Sequence, residues 1–177
     1  PSRQLFQLEI ATPSSRTISP TLGRKVEGEE GHLKVAFIGH PYNLFDIDIN
    51  KDVITIVKSL GMRILTSDLL SEEKIDRQIS DLSKEIYWSS GREIVGSLFH
   101  FLSSDVDGVI FLTSFKCGID ALLQEFIKRR LKARGERSIP FLVLSFDEHT
   151  GREGLVTRLE AFRDVMEQRK ESKTRGS

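Results

Sequence analysis

A single cysteine, Cys117, stands in a chain of 177 residues. One thiol excludes an internal disulfide framework, and no metal cluster can be ligated entirely by cysteines of this chain. An excess of one charge is missing too: 26 Lys plus Arg face 26 Asp plus Glu. A general nucleic-acid surface or an anionic-membrane surface needs a basic surplus, so neither partner is expected. No apolar run approaches the roughly 18 residues that a membrane span requires, and the N-terminal residues carry no apolar core of the signal-peptide kind. Without G-x-G-x-x-G a dinucleotide site has no support, and without a Walker A sequence the chain is not expected to hydrolyse ATP. Cys-x-x-Cys, His-Glu-x-x-His and long internal repeats are absent as well. What remains is a soluble, cytoplasmic α/β protein, long enough to bury one real core.

What is present centres on Phe111-Leu-Thr-Ser-Phe-Lys-Cys-Gly-Ile-Asp120. Ahead of it, residues 107–113 form the near-continuous apolar run of a strand buried on both faces of a parallel sheet. Behind it, Ile119, Leu122, Leu123, Phe126 and Ile127 recur at helical spacing, with Lys128, Arg129 and Arg130 towards the far end. Cys117 is therefore placed where a buried strand hands over to a helix N-terminus. Ligands of open α/β sheets bind outside the carboxyl ends of the strands. Free backbone N–H groups and the helix dipole there favour an anionic sulfur, the form that binds metals and attacks electrophiles.

Around that strand the chain reads as alternating elements. Residues 1–31 are expected to be an N-terminal arm and linker, with a short strand over Leu5–Ile10 and a polar, glycine-bounded stretch over Gly28–Gly31. Such an arm suggests a fragment of a larger protein or a leader that packs elsewhere. An α/β domain is expected over residues 32–169. Leu33–Gly39 is its first strand, ending in a His40-Pro-Tyr-Asn43 loop. Asn50 is expected to cap a helix carrying Val53, Val57 and Leu60, with Gly61 beyond its end and Met62–Thr66 as the second strand. Ser71 starts a helix with the stripe Ile75, Ile79, Leu82, Ile86, and Tyr87-Trp88 interrupts it. Ser90-Gly-Arg-Glu93 fits a capping box for a helix burying Ile94, Val95, Leu98, Phe99 and Leu102. Gly135 ends the helix after Cys117. Ile139–Phe146 is the fourth strand, and Asp147–Gly151 is the turn after it. Leu155, Leu159, Phe162 and Met166 mark the last helix, and residues 170–177 read as a disordered polar tail. The product is a parallel four-stranded sheet with helices on both faces, flavodoxin-like or Rossmann-like.

Three strand-end segments thus converge on one edge: His40-Pro-Tyr-Asn43, Cys117-Gly-Ile-Asp120 and Asp147-Glu-His-Thr150. Each member has a plain reading beside the functional one. Cys117 is either a small buried hydrophobe or a ligand or nucleophile. Gly118 lets a ligand approach the backbone, whereas Asp120 reads first as a helix cap. A thiolate–imidazolium pair of Cys117 with His40 or His149 ranks below metal binding, since nothing marks an oxyanion hole. Asp147, Glu148 and His149 suit a cation or proton transfer, or equally an acidic turn facing the last helix's dipole. His40 and Tyr42 form a tight turn, or Tyr42 presents its hydroxyl or ring to a ligand. On the last helix, an Arg158–Glu160 surface pair would explain both residues without function. The basic run Lys128–Arg137 is most simply a solvated helix end.

Four motifs in order carry a resemblance: Gly39-His-Pro-Tyr-Asn-Leu-Phe-Asp46 with Ile49-Asn50; Tyr87-Trp-Ser-Ser-Gly91; Ser114-Phe-Lys-Cys-Gly-Ile-Asp120; and Asp147-Glu-His-Thr-Gly151 with Thr157-Arg-Leu-Glu-Ala-Phe162. Together they resemble the C-terminal part of the 2-hydroxyacyl-CoA dehydratase-related proteins. More narrowly, they resemble the uncharacterised domain attached to CoA-substrate-specific enzyme activases. The similarity runs from about Val35 to about Asp164 and leaves residues 1–30 uncovered. It implies a flavodoxin-like domain of a larger protein that holds an iron–sulfur cluster between domains and receives an electron from an ATP-hydrolysing activator. It implies the role of cluster ligand for Cys117 alone. The other ligands would come from upstream domains of the same protein, so the isolated chain is expected to hold no cluster and to be inactive. A chain with one cysteine is then a fragment or a member that has lost the cluster. The alternative is a non-catalytic interaction domain that docks the activator or a sister subunit.

Overall fold

The computed structural model describes residues 33–67, 70–80, 88–135 and 138–175. The expected N-terminal arm with its Leu5–Ile10 strand, and Leu82, Ile86 and Tyr87, lie outside the described residues. Four parallel strands, β1 (Lys34–Gly39), β2 (Arg63–Thr66), β3 (Gly108–Ser114) and β4 (Phe141–Phe146), form one sheet in the order β2-β1-β3-β4. This is the flavodoxin-like arrangement, in which the chain leaves β1 towards β2 on one side and later returns to place β3 on the other.

Alternation along each strand sends side chains to two separate cores. Val35 and Phe37 of β1 join Ile110 and Leu112 of β3 and Leu144 and Phe146 of β4 on one face. That face is covered by α1 (Pro41–Phe45), α3 (Val53–Ser59) and α7 (Arg152–Arg175). Ala36, Ile38, Val109 and Phe111 point to the other face, covered by α4 (Glu72–Ile79), α5 (Ser89–Ser103) and α6 (Gly118–Lys132). A short helix α2 (Ile47–Asn50) links α1 to α3. Central position explains why β3 reads as an unbroken apolar run: all its residues from Gly108 to Thr113 are buried.

Several local expectations change. Pro41 does not open a loop but occupies the first turn of α1, where its missing N–H is no loss, and His40 before it stays extended at φ −65°, ψ 146°. Asn50 ends α2 instead of capping α3. Its side chain is buried, donating to the carbonyls of Asn43 and Leu44 and accepting from Asp52 N–H. Ser90 is no capping residue, because α5 already starts at Ser89; Glu93 instead accepts a hydrogen bond from the Ser67 hydroxyl. Arg158 donates to the Val143 carbonyl and so anchors α7 to β4 rather than pairing with Glu160. Over the described residues 170–175, expected as part of a disordered tail, α7 continues to Arg175, with Arg175–Glu171 paired at i,i+4 and Ser172 and Thr174 bonded to carbonyls one turn back.

Register fixes the height of each strand end. Gly39 pairs with Leu112, while β3 runs on through Thr113 to Ser114, level with Phe146. His40 therefore leaves β1 at the level of Thr113. A Cβ on Gly39 would stand 2.5 Å from the Leu112 carbonyl oxygen, and φ there is +154°, so only glycine permits this approach. The two chain ends meet where β1 and β3 lie side by side but their connections diverge, the topological switch point of the sheet.

Candidate functional site

At that switch point, one donor atom each from His40, Cys117 and Asp120 lies within 4.8 Å of the others. Among the described residues no other grouping of three His, Cys, Asp or Glu side chains has this spacing. Histidine nitrogen, thiol sulfur and carboxylate oxygen are three donor types that together can hold a metal ion.

Each arrives from a different element. His40 is carried by the end of β1 and is 8% exposed. Cys117 is half-buried and is the N-cap residue of α6, yet its side chain makes no capping hydrogen bond. The turn before it closes with Cys117 N–H donating to the Ser114 carbonyl, and Lys116 takes a left-handed φ of 63° to make it. Asp120, one turn into α6, is 1% exposed. It caps nothing: Oδ1 lies 2.8 Å from His40 Nε2, and Oδ2 accepts from the Thr113 hydroxyl at 2.5 Å. A chain of Thr113, Asp120 and His40 thus joins β3, α6 and β1 beneath the sulfur.

Asn43 belongs to the scaffold of the site. Fully buried, it accepts from the Ser114 hydroxyl through Oδ1 and so ties α1 to the end of β3. Tyr42 lies nearer the surface and stacks on the His40 ring, centroids 5.2 Å apart and planes 6° off parallel. Partial burial, then the charges of Asp120 and Cys117, push its phenol above the ordinary value of 10.0, against the pull of the Ser114 hydroxyl. Tyr42 is therefore a neutral hydroxyl at physiological pH. Around Gly118 there is open space even for an added Cβ, so the first turn of α6 can be approached from outside. Its leading N–H groups have no intrahelical acceptor, as at any helix start.

The third expected segment contributes no donor atom to this grouping. In the turn after β4, Asp147 Oδ1 accepts from His149 N–H at 3.0 Å and from the Thr150 hydroxyl at 2.7 Å. Glu148 and His149 are exposed and lie 3.5 Å from each other. The bonds of this turn are thus internal, and the plain reading of an acidic turn ahead of α7 accounts for them.

Sequence reading missed two features. Ile119 and Leu122 fit a helical stripe, yet they are 45% and 67% exposed, and the buried face of α6 runs through Leu123, Ile127 and Leu131. With Phe115 at 59% and Tyr42 at 46% exposed, they leave an apolar rim beside Cys117. The link from Asp120 to Thr113 was also unexpected, although the spacing of seven residues across a strand-turn-helix was its only available signal. A cavity of about 370 Å³ lies elsewhere, where β1 begins, lined by Leu33 and by Glu167, Lys170, Glu171, Thr174 and Arg175 of α7. Its lining offers no thiol and no imidazole. Among the described residues no helix is long and apolar enough to cross a membrane. Compared with models of known families and with curated proteins, the chain matches none.

Proposed function

We propose that this chain is a redox domain related to the 2-hydroxyacyl-CoA dehydratases and their activases, in which Cys117 supplies one ligand to an iron–sulfur cluster. The observation that carries this reading is the position of the sulfur. It is half-buried at the β1/β3 switch point, free of any capping bond, beside an open first turn of α6. Cluster sulfurs and ligating thiolates are tuned by backbone N–H donors and by burial, and a helix start offers both. When bound, the cluster would supply one-electron transfer. One thiolate does not hold it, so the other ligands come from segments outside this chain. The four motifs, through their resemblance and their order along the chain, are what supports the kinship. An ATP-hydrolysing activator is the proposed electron donor.

A second reading has its own observation. The rim of Tyr42, Phe115, Ile119 and Leu122 exposes large apolar side chains around the same edge, which suits docking of a sister domain or the activator without chemistry at Cys117. One experiment separates the two. The longer protein carrying this domain is purified without oxygen as wild type and as Cys117→Ser, and iron and sulfide are assayed. The redox reading expects both to fall severalfold in the variant. Equal iron and sulfide in the two preparations would remove it and leave docking.

A further inference from the structure

His40 and Asp120 are held too well for a chance polar contact, and the way they are held points to a metal ion bound by this chain itself. In a tetrahedral site, metal–nitrogen and metal–sulfur distances of about 2.0–2.3 Å set neighbouring donors roughly 3.4–3.6 Å apart. The His40 Nε2 to Asp120 Oδ1 distance of 2.8 Å is shorter than that. Those two atoms are joined by a hydrogen bond and do not face a common ion. In the tautomer that donates from Nε2 to Asp120, Nδ1 is the free lone pair of the ring. Asp120 is committed at its other oxygen as well, to the Thr113 hydroxyl. Metal-bound histidines characteristically give their second ring nitrogen to a carboxylate, which fixes the tautomer and the ring orientation.

We infer that the site binds one thiophilic or borderline divalent cation of the zinc, ferrous or cobaltous class through Cys117 Sγ and His40 Nδ1, with Asp120 and Thr113 orienting His40. A His40 ring nitrogen and Cys117 Sγ lie within 4.8 Å of each other, so a movement of about an ångström brings sulfur and imidazole to tetrahedral donor spacing, and Cys117 is the half-buried member without a capping bond. Sulfur and imidazole select against magnesium and calcium, which take oxygen ligands. The remaining positions are left to water or an incoming donor. This inference shares with the redox reading only the claim that Cys117 ligates metal; it adds His40 and needs no other segment of protein.

Co²⁺ is the probe, because thiolate ligation produces sulfur-to-cobalt charge-transfer absorption and tetrahedral geometry produces strong visible bands. The chain, stripped of metal and reduced, is titrated with cobalt chloride, and the melting curve of each variant is recorded. One ion per chain with both signatures is expected. Cys117→Ser should abolish the charge-transfer band, and His40→Gln should weaken binding at least about tenfold. Thr113→Val, which exchanges the hydroxyl on Asp120 for a methyl group, should weaken it less. Absence of charge transfer in the folded wild type would overturn the inference, as would unchanged affinity in a folded His40→Gln. Should His40→Gln unfold, the Cys117→Ser titration still decides, since that position is half-buried. The two readings fail separately. If cobalt does not bind while Cys117→Ser strips iron and sulfide from the longer protein, the cluster reading stands and this one falls. If cobalt binds while the longer protein keeps its iron, the reverse holds.

Discussion

Lys116 shows how tightly the approach to Cys117 is specified. A non-glycine residue at φ 63° costs roughly 1 kcal/mol relative to right-handed backbone. Lys116→Gly should therefore raise stability by about 0.5–1 kcal/mol in urea melts, whereas a β-branched residue there should lower it; a destabilised glycine variant would contradict the turn geometry. Asp147 offers a second test at this scale. Its carboxylate lies below the ordinary 3.8, mainly through the Thr150 hydroxyl, with the His149 N–H adding to it and burial opposing. A folded value below the unfolded one means the contribution is complete well above pH 3.8 and is lost as pH falls through the lower folded value. The His149 amide should report a titration midpoint below 3.8 by NMR, and Thr150→Val should move it upward. A wild-type midpoint at or above 3.8 would refute the bonding seen in the turn. Asp120 illustrates what sequence conceals at this scale. An acid in the first turn of a helix is expected from the dipole alone, and only the strand register reveals that its true partners are His40 and Thr113.

Elements were legible in proportion to their length and periodicity. The four strands and the long helices α5, α6 and α7 announce themselves through apolar runs or stripes, and the stripe Leu155, Leu159, Phe162, Met166 is buried throughout. Helices α1 and α2 are too short to carry a period, so Pro41–Phe45 reads as loop and Asn50 as a cap. The stripe of α6 was read one position too wide, because periodicity does not distinguish a core face from an apolar face left beside a site. Gly39 marks where an element ends for a tertiary reason. Gly39→Ala would press a methyl group onto the Leu112 carbonyl and hold a strained φ, costing about 1–3 kcal/mol. It should also perturb the position of His40. A stability within 0.5 kcal/mol of wild type would show that the β1 and β3 backbones are less closely apposed than described.

At the scale of the molecule, two cores clamp one sheet while the carboxyl ends of its central strands gather the buried polar side chains His40, Asn43, Thr113 and Asp120 around the half-buried Cys117. Parallel topology alone brings His40 and Cys117 to one edge, and for that reason their meeting was readable from the chain. That Asp147 bonds within its own turn and adds no donor to them was not, since topology gives an edge but not which side chains turn inward along it. The account rests on Cys117 as a metal ligand, and the sulfur itself can be asked. Iodoacetamide labelling of Cys117 should be slow in the metal-loaded protein and become much faster once a chelator, or oxidation of a bound cluster, removes the metal. Equal rates before and after removal would contradict the account.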